Sequence, residues 1–225
     1  MGETELTLDK EARYLGLIVD ESFSWTPYIN LLCFKLSSQL FLLSRFSSYQ
    51  NYFLMRLIYS SLIESRLRYG IVLWGSTSSI NFLRVFRLQK RAVRIMAGVT
   101  RRAHCQALFK SMKILTLPSI YMYETLLFYR FKITTIQAGI DIHSYDTRHR
   151  HLHRQPPHRL ELTANLPVNI GPKLFNSLPD CIKQEANPAK FKFILKQYFL
   201  ERVCYSTTEL FHKKNSLRII VFYLL

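Results

Sequence analysis

The chain is predicted to be mainly α: a short N-terminal β-hairpin, a helical bundle and a basic helical C-terminal region. Three observations lead there. Glycine is scarce, 7 of 225 residues, where average usage would give roughly 16, so a turn-rich β architecture is disfavoured. Apolar residues make up 48% and aromatics 14%, enough to bury a core. Through several long stretches the apolar positions recur at steps of three and four, the period of an amphipathic helix.

The elements follow in order. Residues 4–8 (TELTL) and 13–19 (RYLGLIV) read as two strands of a hairpin around Asp-Lys-Glu-Ala. Gly16 inside the second strand would let another backbone come close. Thr26 and Pro27 read as a helix entry, a hydroxyl cap followed by a residue that lacks an N–H to satisfy. Ile29, Leu32, Leu36, Leu40 and Leu43 then stripe a helix to about Arg45. A second helix is expected over 51–64, on Leu54, Leu57, Ile58 and Leu62. The two glycines of RLRYGIVLWGS (66–76) mark a buried turn and a short strand or helix end, with Trp74, like Trp25, as a core anchor. Further helices are expected at 79–97, 103–112, 118–136 and 188–204, with a loop over 138–172. In the last helix Phe191, Ile194, Leu195, Tyr198 and Phe199 should point inward, and Lys190, Lys192 and Lys196 outward.

Charge is the strongest functional signal. The formal net charge is +16, yet residues 1–26 hold six acids against Lys10 and Arg13. The rest of the chain is therefore more basic than the total implies, a field that draws polyanions, RNA or DNA first. Helix 79–97 concentrates it. At about 100° per residue, Phe82, Val85, Phe86, Leu88, Ala92, Val93, Ile95 and Met96 fill one side. Arg84, Arg87, Lys90, Arg91 and Arg94 gather on the other, and Gly98 ends the helix. This helix carries no acid, so intrahelical ion pairs do not account for the cations. A solvated surface face is the plain alternative; phosphate contact is the reading preferred here. HSYDTRHRHLHRQPPHR (143–159) is a second basic stretch, in which Arg148, Arg150 and Arg154 are candidate nucleic-acid contacts. His149, His151 and His153 alternate as zinc ligands could on a strand, but the interleaved arginines oppose a cation, and no metal is expected.

Catalytic parts are missing. The five aspartates, Asp9, Asp20, Asp141, Asp146 and Asp180, form no paired magnesium site, and neither a phosphate-binding P-loop nor a G-x-S-x-G elbow is present. No catalytic residue and no cofactor is assigned to this chain. Cys33, Cys105, Cys181 and Cys204 are widely spaced and expected as free thiols. The opening MGETELTLDKE lacks a signal-peptide layout, and IIVFYLL is too short for a bilayer span. A nuclear or cytoplasmic setting, without secretion or membrane contact, is the expectation.

Taken together, RYLGLIVDESFSWTPYI, LIYSSLIESRLRYGIVLWG, LQKRAVRIMAG, CQALFKSMKILTLPSIYMYETLLF, HSYDTR and GPKLFNSLP are similar to one family. They resemble the segment following the catalytic core in non-LTR retrotransposon reverse transcriptases, jockey-like elements in particular, over about residues 10–205. The resemblance implies that Tyr14, Leu15 and Gly16 belong to a primer-grip hairpin at the palm edge (1–25). It implies a thumb over 26–98, riding on template–primer duplex, then a helical connector (99–137) and a basic C-terminal region (138–225). The family's aromatic-x-Asp-Asp motif has no counterpart here, so magnesium chemistry is expected only of a separate catalytic core. The expected molecule is thus a C-terminal fragment of such an enzyme, inactive alone. The alternatives are a stand-alone nucleic-acid-binding protein or a helical adaptor.

Overall fold

The computed structural model describes residues 10–49, 51–133, 152–159, 161–164 and 166–212. It is mainly helical with one antiparallel hairpin, β1 (Glu11–Tyr14) and β2 (Leu17–Asp20), in register from Glu11 opposite Asp20 to Tyr14 opposite Leu17. Leu15 and Gly16 make the two-residue turn, at φ 48° and 81°. Positive φ at both positions matches the twist of the strands, which is why such turns favour glycine. This corrects the strand expected over 13–19. The run folds back on itself at Leu15–Gly16, and residues 4–8 lie outside the described residues. A Cβ on Gly16 would meet nothing nearer than the Tyr69 hydroxyl at 3.8 Å. Conformation, not close packing, therefore calls for glycine there.

The joint to the first helix also departs from expectation. The Asp20 carboxylate accepts from the Ser24 N–H (3.1 Å), the Trp25 N–H (3.0 Å) and the Ser22 hydroxyl. Phe23 and Trp25 both sit at positive φ, so the chain coils tightly around that carboxylate. Helix α1 (Thr26–Phe46) is capped by Trp25, whose carbonyl accepts the first helical N–H from Ile29. Thr26 is thus not the cap. Its hydroxyl accepts from Asn81 at 3.0 Å, because packing against a neighbouring helix outbid the local role. The stripe Ile29, Leu32, Leu36, Leu40 and Leu43 is buried as expected, each side chain contributing about 1.5–3 kcal/mol of transfer free energy.

After a 3₁₀ turn (Ser47–Tyr49), one helical run replaces the helix expected over 51–64 and continues to residue 68. It comprises α2 (Tyr52–Ile58), a π-helical stretch (Tyr59–Glu64) and α3 (Ser65–Arg68). Met55, Tyr59, Ile63 and Leu67 are all buried at steps of four. An α-helix would turn such a row about 40° off the core at every step; the wider π turn keeps it facing inward. Gly70 breaks the run, and α4 (Ile71–Trp74) seats Trp74 fully buried, its indole N–H on the Tyr69 carbonyl at 2.8 Å.

Helix α5 (Ser79–Met96) packs lengthwise on α1 and ends as expected. The Gly98 N–H reaches the Ile95 carbonyl (3.2 Å) and the Val99 N–H the Arg94 carbonyl (3.2 Å), a Schellman closure. Helix α6 (Gln106–Ser111) precedes α7 (Leu117–Lys132), which is buried around nearly its whole girth from 117 to 126. Around α7 stand α3, α4, α5, α8 (Glu161–Ala164) with α9 (Pro167–Asn176), and α11 (Pro188–Arg202), with α10 (Asp180–Lys183) before α11 and α12 (Thr208–His212) after it. The loop expected over 138–172 is corrected at its end. Residues 161–164 and 167–172 are helical, because packing of α9 on α7 overrides weak local propensity. The inward residues of α11 are buried as expected, with Tyr198 half-buried. Trp25 and Trp74 are core residues. One buried cluster runs from Leu17 to Leu210, and no described helix is long and apolar enough to cross a membrane.

Candidate nucleic-acid interface

The cationic side of α5 is presented by a rigid support. The opposite side buries Val85, Phe86, Ala92 and Val93. At its centre Gln89, fully buried, donates to the Tyr59 hydroxyl and the Leu115 carbonyl, each at 2.9 Å, and accepts the Leu117 N–H at 2.7 Å. One amide thereby ties α5 to the π-helical stretch and to the start of α7. Sequence reading passed over Gln89. Its signal was a polar residue in register with Val85, Ala92, Val93 and Met96, on the apolar arc.

The five cations do not form one uniform row. Arg84 turns toward α1, donating to Asn30 Oδ1 (2.9 Å) and Asn81 Oδ1 (3.1 Å). Lys90 lies over the Phe86 ring (4.7 Å) and near the Tyr205 ring (5.8 Å). Arg94 folds onto the Ala103 carbonyl at 2.9 Å. Arg87 and Arg91, one turn apart, stand exposed and make no hydrogen bond or ion pair among the described residues. Arg101 and Arg102, just beyond the helix, are exposed as well. Thus α5 offers two unengaged guanidiniums flanked by three cations that other groups hold in place. Burial raises the pKa of Cys105, beside this edge, against the pull of Arg94 and Lys90. Burial raises that of Cys33 too, opposed by Arg84. None of the four cysteines forms a disulfide.

Tyr14, Leu15 and Gly16 are brought together at the hairpin tip. Tyr14 and Leu15 are 71% and 72% exposed, large apolar groups standing in solvent. Leu15 holds a left-handed φ that costs a non-glycine residue about 1–2 kcal/mol. The Tyr69 hydroxyl donates to the Leu15 carbonyl and holds the strained turn against the α3–α4 corner. Tyr69 is a second residue the sequence did not single out.

Part of the histidine-rich segment lies among the described residues. Arg148, Arg150, His149 and His151 lie outside the described residues. Arg154 is exposed. Its neighbour His153 stacks on Phe175 (4.5 Å between centroids, 6° between planes), and its Nδ1 pairs with the Tyr129 hydroxyl at 2.8 Å. The His153 backbone exchanges two hydrogen bonds with the Asn176 side chain. This histidine anchors the basic segment to α7 and α9. Among the described residues no three His, Cys, Asp or Glu side chains cluster as a metal site would require.

Compared with protein-family models, with curated proteins and with solved structures, the chain matches none of them.

Proposed function

We propose that the chain binds template–primer nucleic acid through the outer face of α5, as the thumb of a jockey-like reverse transcriptase would, and performs no nucleotide chemistry itself. One observation carries the reading: Arg87 and Arg91 project, unengaged, from an acid-free helix face whose back is locked into the core. Four residues of helix separate them by about 6 Å, a spacing that serves neighbouring phosphates of one strand. Contacts of this kind hold a duplex by charge without reading its sequence. The exposed, strained tip at Tyr14 and Leu15 supports the primer-grip role that the sequence resemblance implies. The partner is RNA–DNA hybrid or DNA duplex, and magnesium would belong to a catalytic core on other residues than these.

The test is a titration of labelled hybrid duplex across a salt series. Association should weaken steeply with salt. The double variant R87A/R91A should lower the slope of log K against log salt by about 2, roughly one per lost phosphate contact, with unchanged thermal stability. An unchanged slope and affinity would leave the helical-adaptor reading in its place. Primer extension by the purified chain with magnesium and deoxynucleotides would overturn the claim of inactivity.

A further inference from the structure

A second face, on α7 and α11, differs in character from α5. Lys192 places its ammonium 5.6 Å from the centre of the Phe131 ring, and Phe131 is held edge-on to buried Phe191 at 5.8 Å. The Tyr123 hydroxyl on the Lys192 carbonyl and Thr116 on the Cys204 carbonyl place the two helices side by side and antiparallel. One turn along α11, Lys196 is exposed; Phe193, between the two lysines, is 52% exposed. On α7, Phe128 and Phe131 are 40% and 37% exposed, and Lys132 is exposed beside them. These two packed helices therefore carry three part-exposed phenyl rings and three exposed lysines, with Lys192 set over Phe131. The acids of these helices are taken up elsewhere: Glu124 binds Arg68 and Glu201 binds Lys110. Glu185, at the foot of α11, is held by Lys190 and largely buried.

We propose that this face binds single-stranded nucleic acid. Bases stack on aromatic faces whatever their identity, while lysines follow the phosphates. A duplex hides its base faces and gives the rings nothing to stack on. An acidic protein surface would satisfy the lysines and leave the phenyl groups unused. An anionic membrane would need a broad apolar face, whereas these are three single rings, each about half exposed. The proposal rests on this patch alone and is independent of Arg87 and Arg91.

The test uses the full chain with a labelled 20-nucleotide homopyrimidine strand and, in parallel, a blunt duplex of equal length. F193A should reduce single-strand affinity about fivefold or more, the scale of one lost stacking contact. F193W should restore it, and duplex affinity should stay unchanged. K192A/K196A should weaken the single strand as well. In R87A/R91A the dependence on Phe193 should persist, separating this site from α5. Equal loss of duplex and single strand in F193A would overturn the proposal. So would single-strand affinity indifferent to Phe193, or Phe193-dependent capture by anionic vesicles without oligonucleotide binding.

Discussion

Gln89 shows how much one polar side chain can decide. Its amide satisfies a phenol, a carbonyl and a backbone N–H in a site closed to water, and burial holds the Tyr59 phenol well above its ordinary pKa. Shortening it strands those groups, each costing about 1–3 kcal/mol when buried unpaired. Gln89→Ala should therefore destabilise by about 3 kcal/mol, read as a lower urea midpoint at unchanged slope. Arg87 and Arg91, exposed on the opposite side of the same helix, should show the converse: no change in stability and a loss in binding. The same helix thus separates the two kinds of residue by side. A phenotype shared by both variants would mean that the outer arginines are structural.

At the scale of elements, the joint between β2 and α1 depends on one carboxylate. Burial opposes ionisation of Asp20, but hydrogen bonds from the Ser22 hydroxyl, from Ser24 and from the Trp25 N–H outweigh it and hold its pKa at about 2, below the ordinary 3.8. A lowered pKa in the folded state means that the contribution is complete above about pH 4. It fades as pH falls toward 2, where the folded-state carboxyl takes up its proton. The wild type should lose this increment between pH 4 and 2, and Asp20→Asn should lack it at every pH, measured as denaturation midpoints across the series. The π-helical stretch makes a related point. Its residues have unexceptional helix propensity, and the buried row Met55, Tyr59, Ile63 and Leu67 gives the turn a reason to widen, beside the Ser60, Ser61 and Ser65 hydroxyls that bond backbone carbonyls there. The stripe expected there, Leu54, Leu57, Ile58 and Leu62, is instead half-buried or exposed, because the core meets the row spaced by four.

The whole molecule is organised around α7, and its neighbours come close enough to exclude side chains. A Cβ on Gly75 would lie 2.3 Å from Tyr121 Cδ2, and one on Gly171 would lie 2.5 Å from Tyr129 Cδ2. Gly171→Ala should push α9 off α7 at a cost of about 1–3 kcal/mol. That corresponds to a fall in Tm of about 2–4 °C per kcal/mol in a chain of this size. It should also loosen His153, which leans on Tyr129 and Phe175, so that limited proteolysis near Arg154 speeds up. Gly171→Ala without thermal effect would mean that α9 is not seated as described.

The sequence by itself determined the mainly helical class, the extents of α1, α5 and α11, the Gly98 closure, both tryptophan anchors and the cationic side of α5. Those properties follow from periodicity, capping chemistry and charge, which are local. Tertiary structure decided the rest. It bent 13–19 into a hairpin, passed the cap from Thr26 to Trp25, made PVNIGP helical, and engaged Arg84, Lys90 and Arg94 while leaving Arg87 and Arg91 exposed. Each of these outcomes turns on which distant group offers a better partner than the neighbouring residues do, and that competition is settled only when the helices pack.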